Sequence, residues 1–174
     1  MKIYIKYHNE NCKLEIKGNW IDLKASKAYK FTAPTLSYFT KEAENIPVVI
    51  FDKQLIDLGV SMKLPKYFQA NIVPRSSLGW KKDLIQLNHF GVIDGPDAYG
   101  IGYSGNNDIW KFPALALALT TIEEGERICQ FTIQPTQFAP WYTKLKWIFS
   151  KKIQFIEVNN LGDINRGGFG STGK

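Results

Sequence analysis

The stretch FQANIVP (68–74) alternates apolar and polar side chains from Phe68 to Ile72. Such alternation is typical of a β-strand with one buried face, because successive side chains of a strand point to opposite sides. Similar short segments recur at KIYIKY (2–7), KLEIK (13–17), KAYKFT (27–32), VVIFD (48–52), LIQLNHFGVID (84–94), the alanine–leucine run 114–119, RICQFTI (127–133) and IQFIEV (153–158). Clusters of Gly, Pro, Asn and Asp separate them. This spacing predicts an all-β sandwich or barrel.

Helical character is limited to three segments, TLSYFTKEAENI (35–46), SLGWKKDLIQ (77–86) and YTKLKWIFSKK (142–152). None is long enough to change the predicted fold class. Residues 136–152 mix aromatic side chains with lysines between two strands, and we interpret them as an extension of the domain. Residues 162–174 carry five glycines and few core-forming side chains, which predicts a flexible arm after a β-domain that spans 1–161.

The length and composition are those of one ordinary globular domain, with 174 residues, 44% apolar and 22% charged. This excludes a disordered or collagen-like chain. Two cysteines, Cys12 and Cys129, are too few for a disulfide-rich scaffold or a four-thiolate zinc site, and they fit a reducing compartment. The N-terminus lacks the hydrophobic stretch of a signal peptide, and the longest apolar run, FPALALALT, is shorter than the about 20 residues of a membrane span. We therefore expect a soluble, cytoplasmic protein with no membrane partner.

The chain carries 22 Lys and Arg against 16 Asp and Glu, a net charge of +6. An excess of this size indicates an anionic partner, such as a nucleotide or a nucleic acid, or serves only solubility. The C-terminal GFGSTGK fits the opening of a phosphate-binding P-loop, but no Ser or Thr follows Lys174 and no helix follows to cradle phosphates. We reject the P-loop. Flexible glycines with Arg166, Ser171 and Thr172 still suit phosphate oxygens.

Other motifs contain residues of the types that phosphate chemistry requires. In PRSSLG (74–79), Arg75 can grip a phosphate bidentately while Ser76 and Ser77 donate hydrogen bonds. In GVIDG (91–95), Asp94 directly follows an apolar strand and can orient a water molecule. Each motif alone is more often a plain turn or strand. Their order along the chain makes the difference.

GNWIDLKA, PRSSLG, NHFGVID with YSGNNDIW, GERICQF and RGGFGSTG resemble the five motifs of the trimeric dUTPase family, in that family's order. The resemblance spans Gly18 to Gly173. It implies a jelly-roll-like β-barrel, a homotrimer, and active sites at subunit interfaces with the C-terminal arm supplied by a neighbouring chain. It also implies Mg²⁺-dependent hydrolysis of dUTP to dUMP and pyrophosphate, which keeps uracil out of DNA and supplies dUMP for thymidylate synthesis.

The resemblance assigns roles to individual residues. Asp94 would position the attacking water, and Asp22 would lie near the magnesium shell through water, with Mg²⁺ held mainly by the triphosphate. Asn88 would bind uracil, and Tyr103 would pack on the deoxyribose. The remaining assignments are contacts to the phosphates, made by Arg75, Ser76, Ser77, Gln130, Arg166, Ser171 and Thr172, and a cover over the uracil, made by Phe169.

The sequence departs from the family pattern at three places. Trp20 and Ile21 precede Asp22, where the family has a small residue pair. An insertion, GPDAYGIG, leaves Tyr99 and Tyr103 as rival sugar-packing residues, and we prefer Tyr103 because SGNNDIW follows it. The extension 136–152 is a surface decoration or, through 142–152, a binding patch for a regulatory partner.

Two other functions remain open at this point. The dCTP deaminase branch of the same fold also has an arginine–serine–serine sequence, but it uses a glutamate that the stretch NNDIWKFPALALAL lacks. A basic, aromatic β-protein can also bind single-stranded nucleic acid. We do not expect this, because the aromatic residues alternate at core positions rather than forming a stacking surface.

Overall fold

The structure is a computed structural model that describes residues 1–41, 44–97, 100–149, 152–162 and 164–168. β-strands dominate these residues, which confirms the predicted all-β class. The strands are β1 (Lys2–Tyr7), β2 (Glu15–Ile16), β3 (Ile21–Lys24), β4 (Tyr29–Phe31), β5 (Thr35–Lys41), β6 (Glu44–Ile50), β7 (Lys53–Asp57), β8 (Val60–Lys63), β9 (Phe68–Pro74), β10 (Leu84–Gln86), β11 (Gly91–Asp94), β12 (Lys111–Ala116), β13 (Thr120–Ile122), β14 (Arg127–Pro135) and β15 (Gln154–Glu157). The helices are α1 (Ser76–Lys82) and α2 (Trp141–Phe149), and a short 3₁₀ helix spans Glu10–Cys12.

A five-stranded sheet with the order β11-β9-β14-β3-β2 positions most of the predicted site residues. Strand β9 pairs antiparallel with β14 over its whole length and with β11 on its other side. Phe68, Ala70 and Ile72 of β9 are buried, as their alternation predicts. Strand β11 lies at the edge of the sheet, so one side of its backbone is not paired within it.

The hydrophobic core lies between this sheet and two three-stranded sheets, of order β15-β1-β8 and β10-β12-β7. Its largest fully buried side chains include Trp110, Phe112 and Phe131. The rings of Trp110 and Phe131 meet edge to face with centroids 5.2 Å apart, a favourable aromatic geometry. The residue just before β12 therefore packs on β14, a central strand of the sheet that carries the site.

The predicted helix at 35–46 is wrong. Strands β5 and β6 pair antiparallel there from Thr35↔Ile50 to Lys41↔Glu44 and form a long exposed hairpin. The β-branched and aromatic residues of both strands favour cross-strand pairing, and this outweighs the helical spacing of the apolar residues.

Two other segments of the prediction are divided differently. Helix α1 ends at Lys82, because Asp83 adopts the left-handed conformation with φ 51° and strand β10 begins at Leu84. The single strand predicted over 84–94 is two strands, β10 and β11, joined by a turn in which His89 also has positive φ.

Helix α2 confirms the helix predicted within 142–152. It packs on the domain through Trp147, whose ring centroid lies 5.6 Å from that of Phe68. Trp141 and Phe149 are 72% and 84% exposed, so α2 presents a largely apolar outer face. The use of this face by a partner stays a prediction. Within the described residues, neither helix is long and apolar enough to cross a lipid bilayer.

Candidate active site

Strand β9 connects two groups of predicted site residues, one at each end. At its beginning, Gln69 is the register partner of Asp94 on β11. At its end, Pro74 leads into Arg75, which keeps an extended backbone before helix α1 begins at Ser76. Arg75 follows Gln69 by six positions, so the two groups lie about 20 Å apart along the strand at roughly 3.3 Å per residue.

The first group forms around the end of β11. Tyr103 donates its backbone N–H to the Asp94 carbonyl at 2.8 Å, which places the Tyr103 ring beside the strand. Gly102 makes this crossing possible: it has φ +69°, and a Cβ on it would lie 2.9 Å from the Asp94 carbonyl oxygen. The Asp94 side chain itself is 47% exposed. A half-exposed carboxylate on a rigid strand end can accept a proton from a water molecule.

A cavity of about 370 Å³ opens beside this strand end, a volume within the range of small-molecule sites. Asn88 and Tyr103 line it together with the backbone of β11 and residues Gly167 and Gly168. Asn88 accepts a hydrogen bond from Gln86 Nε2 on its Oδ1 at 2.9 Å, which orients its amide. A second cavity of about 580 Å³ adjoins Asp94 and Arg166. The structure thus brings together the predicted uracil, sugar and water-positioning residues.

Arg166 reaches the same place from the C-terminal segment. Its guanidinium lies 4.7 Å from the centre of the Tyr103 ring, and its Nη1 lies 3.4 Å from Asp94 Oδ2. The segment is held by Asp108, a carboxylate that is only 5% exposed. Sequence reasoning missed Asp108. The polar run Gly-Asn-Asn-Asp (105–108) was the available signal, because short polar side chains in loops commonly bind backbone groups.

The second group centres on the buried carboxylate of Asp22. Arg75 Nη1 donates to Asp22 Oδ1, and Arg127 Nη1 donates to Asp22 Oδ2 at 3.0 Å. On the two sides of β3, Gln130 of β14 and Glu15 of β2 are the register partners of Asp22. The sequence places Arg127 at the start of the predicted strand 127–133 but gives no signal of its pairing with Asp22.

Several neighbours complete the second group. Gln130 is half-buried next to Asp22, while Ser76 and Ser77 begin helix α1 immediately after Arg75. Hydrogen bonds from Lys17 and Lys24 lower the pKa of Glu15 to about 2, so Glu15 is ionised at neutral pH. Burial, with a smaller contribution from the Asp22 charge, raises the pKa of the Cys129 thiol well above its usual value. Cys129 is therefore not a nucleophile.

Four residues named from the sequence, Tyr99, Phe169, Ser171 and Thr172, lie outside the described residues. Among the residues that are described, no three His, Cys, Asp or Glu side chains are grouped to hold a metal ion. A Mg²⁺ ion here would take most of its ligands from a bound phosphate chain. Mg²⁺ favours such sites, since it typically binds one or two carboxylates together with substrate phosphates.

Comparisons with known proteins identify the family. No protein-family model matches the sequence. The chain is 38% identical, over 99% of its own length and 99% of the other's, to the SPbeta prophage-derived deoxyuridine 5'-triphosphate nucleotidohydrolase YosS of Bacillus subtilis (strain 168). The chain belongs to the dUTPase family. This dUTPase-family chain also matches the crystal structure of dUTPase from Streptococcus mutans with a TM-score of 0.58 and 22% identity, over 77% of this chain and 93% of that one.

A third comparison bears on the metal. The fold of this dUTPase-family member matches the dUTPase from phage phi11 of S. aureus, with a TM-score of 0.54 and 14% identity over 79% of this chain and 93% of that one. That protein coordinates a structural Mg(II) ion. At this identity the likeness concerns the fold, and the dUTPase fold is confirmed by both structural matches.

Proposed function

We propose that this member of the dUTPase family hydrolyses dUTP to dUMP and pyrophosphate with Mg²⁺. The observation that carries the proposal is the full-length relationship to a deoxyuridine 5'-triphosphate nucleotidohydrolase. Two features support it: a cavity beside Asp94 that can hold a nucleoside, and arginines at the far end of β9 that can bind phosphates. The protein has the two parts that the reaction needs, a nucleoside pocket and a site for phosphates.

Uracil binds in the 370 Å³ cavity, in this proposal, against the free edge of β11. An edge strand offers alternating N–H and C=O groups, which complement the acceptor–donor–acceptor edge of uracil. Asn88 lies at the rim with its Oδ1 already bonded to Gln86, so its Nδ2 is directed to donate to a base carbonyl. The ring of Tyr103, in the same cavity, packs on the deoxyribose and leaves no room for a 2′-hydroxyl.

The triphosphate binds to the second group, where Arg75 supplies the charge. Asp22, which also binds Arg127, fixes the Arg75 side chain, which is 28% exposed and so remains accessible to a ligand. Ser76 and Ser77 with Gln130 provide neutral hydrogen-bond donors beside it. A bound Mg²⁺ would be held mainly by the phosphate chain and would supply positive charge to the reaction, and Asp22 would act on it only through water, because arginines occupy both of its oxygens.

Asp94 orients and deprotonates the water that attacks the α-phosphorus. Arg166, 3.4 Å from its carboxylate, would pass to the phosphates once they are bound, together with Ser171 and Thr172 of the arm, while Phe169 covers the base. Hydrolysis of this kind requires positioning and charge neutralisation more than covalent chemistry. Residues 162–174 act as a glycine-rich arm of the domain 1–161.

We infer that the two groups of one site come from different chains. Their separation of about 20 Å along β9 supports this inference, because it is long for one chain to present both Asp94 and Arg75 to the same phosphate chain. We therefore propose a homotrimer in which each site combines the Asp94 group of one subunit with the Arg75 group of the next. The described part of the arm, up to Gly168, lies beside Tyr103 of its own chain.

The direct test incubates the protein with each deoxynucleoside triphosphate and Mg²⁺ and detects pyrophosphate and ammonia separately. We expect pyrophosphate from dUTP and much less from dCTP, dTTP or UTP, and the Asp94→Asn variant serves as the matched control. Ammonia from dCTP would identify a deaminase instead. If the protein released neither product and bound single-stranded nucleic acid, it would be a binding protein instead.

A further inference from the structure

The loop Gly105–Asp108, here called the docking loop, makes hydrogen bonds with residues 160–161 and 165–167. Asp108 accepts the backbone N–H of Arg166 at 3.0 Å on both carboxylate oxygens and that of Gly167 at 2.9 Å. Asn165 Oδ1 in turn accepts the Asn107 N–H at 2.8 Å. Farther back, Asn106 Oδ1 accepts the Leu161 N–H at 2.9 Å. Side chains of the loop thus bind the backbone at the start of the C-terminal arm, and a side chain of the arm binds the backbone of the loop.

The shape of the docking loop fits the arm as closely as its polar groups do. A Cβ on Gly105 would lie 2.6 Å from the Cα and 2.7 Å from the nitrogen of Asn165, closer than real Cβ atoms approach other atoms. Gly105 does not need glycine for its own backbone, since its φ is not in the left-handed region. The absence of a side chain at Gly105 therefore allows Asn165 to pack directly against the loop.

The chemistry of Asp108 singles it out within the loop. A carboxylate buried to this extent must have its lone pairs satisfied, and here backbone N–H groups of Gly105, Arg166 and Gly167 satisfy them. Two of these three donors belong to the arm. Undocking the arm would remove the bonds from Arg166 and Gly167 that Asp108 accepts, which favours the docked arrangement.

We propose that Asp108 is a positioning residue that fixes the start of the C-terminal arm, so that the Arg166 guanidinium stands over Tyr103 and beside Asp94 of the same chain. It acts through the Arg166 backbone and touches no substrate. The role in catalysis rests on the proposed function, whereas the docking itself does not. One consequence is that the arm leaves every subunit from a fixed point at the rim of the nucleoside cavity.

Docking is tested by hydrogen exchange resolved at single amides in the full-length protein. In Asp108→Asn, a side-chain N–H₂ replaces one acceptor, so the Arg166 and Gly167 amides should exchange faster by roughly tenfold or more, the factor expected for losing a bond to a charged group. Gly105→Ala should have the same effect by displacing Asn165 without removing a polar group. Asp52→Asn is the matched control, since Asp52 also accepts a backbone N–H, from Thr32 at 2.9 Å, far along the chain from the arm. Unchanged exchange at Arg166 and Gly167 in both test variants would overturn the proposal.

Positioning through Arg166 is tested by a double-mutant cycle on kcat/KM for dUTP. We expect Asp108→Asn to lower kcat/KM by about tenfold in the parent and to have little further effect in an Arg166→Ala background, because the two residues act in series. Equal losses in both backgrounds would refute positioning through Arg166. A parent without dUTP hydrolysis would instead refute the proposed function, and the exchange measurement would still decide whether Asp108 docks the arm.

Discussion

Replacing Asp22 by asparagine should destabilise the protein far more than a typical surface change. The Asp22 side chain is 7% exposed and binds Arg75 through one oxygen and Arg127 through the other, at 3.0 Å for the latter. Asparagine keeps the shape but loses the charge, and its N–H₂ group faces a guanidinium that also only donates. Arg75 then loses its anion, and Arg127 keeps only Glu15, whose Oε2 lies 4.0 Å from Arg127 Nη1.

The magnitude follows from the two bonds. A hydrogen bond to a charged group contributes about 1.5–3 kcal/mol. Arg75 and Arg127 are 28% and 36% exposed, so solvent screening favours the lower end of that range for each bond. We therefore expect Asp22→Asn to lower the free energy of unfolding by about 2–3 kcal/mol.

Urea denaturation at one fixed protein concentration measures this loss, since the stability of an oligomer depends on concentration. Asp57→Asn is the control: Asp57 pairs with Lys111 at 3.7 Å, with both side chains more than a third exposed, and its loss should change stability by less than about 1 kcal/mol. If Asp22→Asn proved no more destabilising than Asp57→Asn, Asp22 would not be the structural anchor of Arg75 described above.

Three further predictions concern single side chains. Asp94→Asn should lower kcat by about 10²–10⁴ with little change in KM, as steady-state kinetics with dUTP would show, and a near-normal kcat would remove Asp94 from its role. Burial lowers the pKa of His8, so folding favours its neutral form. The free energy of unfolding should therefore fall as the pH drops below about 6.5, and the urea midpoint of His8→Gln should depend less on pH than that of the parent. Burial raises the pKa values of the Cys12 and Cys129 thiols, so both thiols should resist a thiol reagent at about pH 8 in the folded protein and react once the protein is unfolded. The contribution of these thiols to the free energy of unfolding should be complete below about pH 9 and decline above it, because the unfolded chain loses their protons first.

The parts of the fold that the sequence predicts well are those in which local pattern and tertiary burial agree. In β9 and β14 the alternating apolar residues are the ones that the core buries, so the period-two pattern locates both strands closely. The motif residues Asp94 and Arg75 were located at the ends of strands for the same reason. Where a strand ends is visible in the sequence because its alternation stops at a turn-forming residue.

Other features depend on partners that lie far away in the sequence. The β5–β6 hairpin was predicted as helix because its apolar residues also fit helical spacing, and only cross-strand pairing decides between the two. The pairing of Asp22 with Arg127 joins residues 105 positions apart. Asp108 binds the arm 58 and 59 positions away, through backbone groups that carry no sequence signal. None of these contacts has a local signature.

The division of the site between the two ends of β9 is tested most directly by mixing two inactive variants. Arg75→Ala lacks the phosphate-binding arginine, and Asp94→Asn lacks the water-positioning carboxylate. In trimers formed at random from equal amounts of both, about a quarter of the sites would pair an intact Asp94 with an intact Arg75 from the next subunit. Every mixed trimer contains one such site among its three, so we expect co-refolded, tag-verified mixed trimers to regain about a third of parental dUTP hydrolysis. Verified mixed trimers with no activity would contradict the account, because both groups would then have to come from one chain.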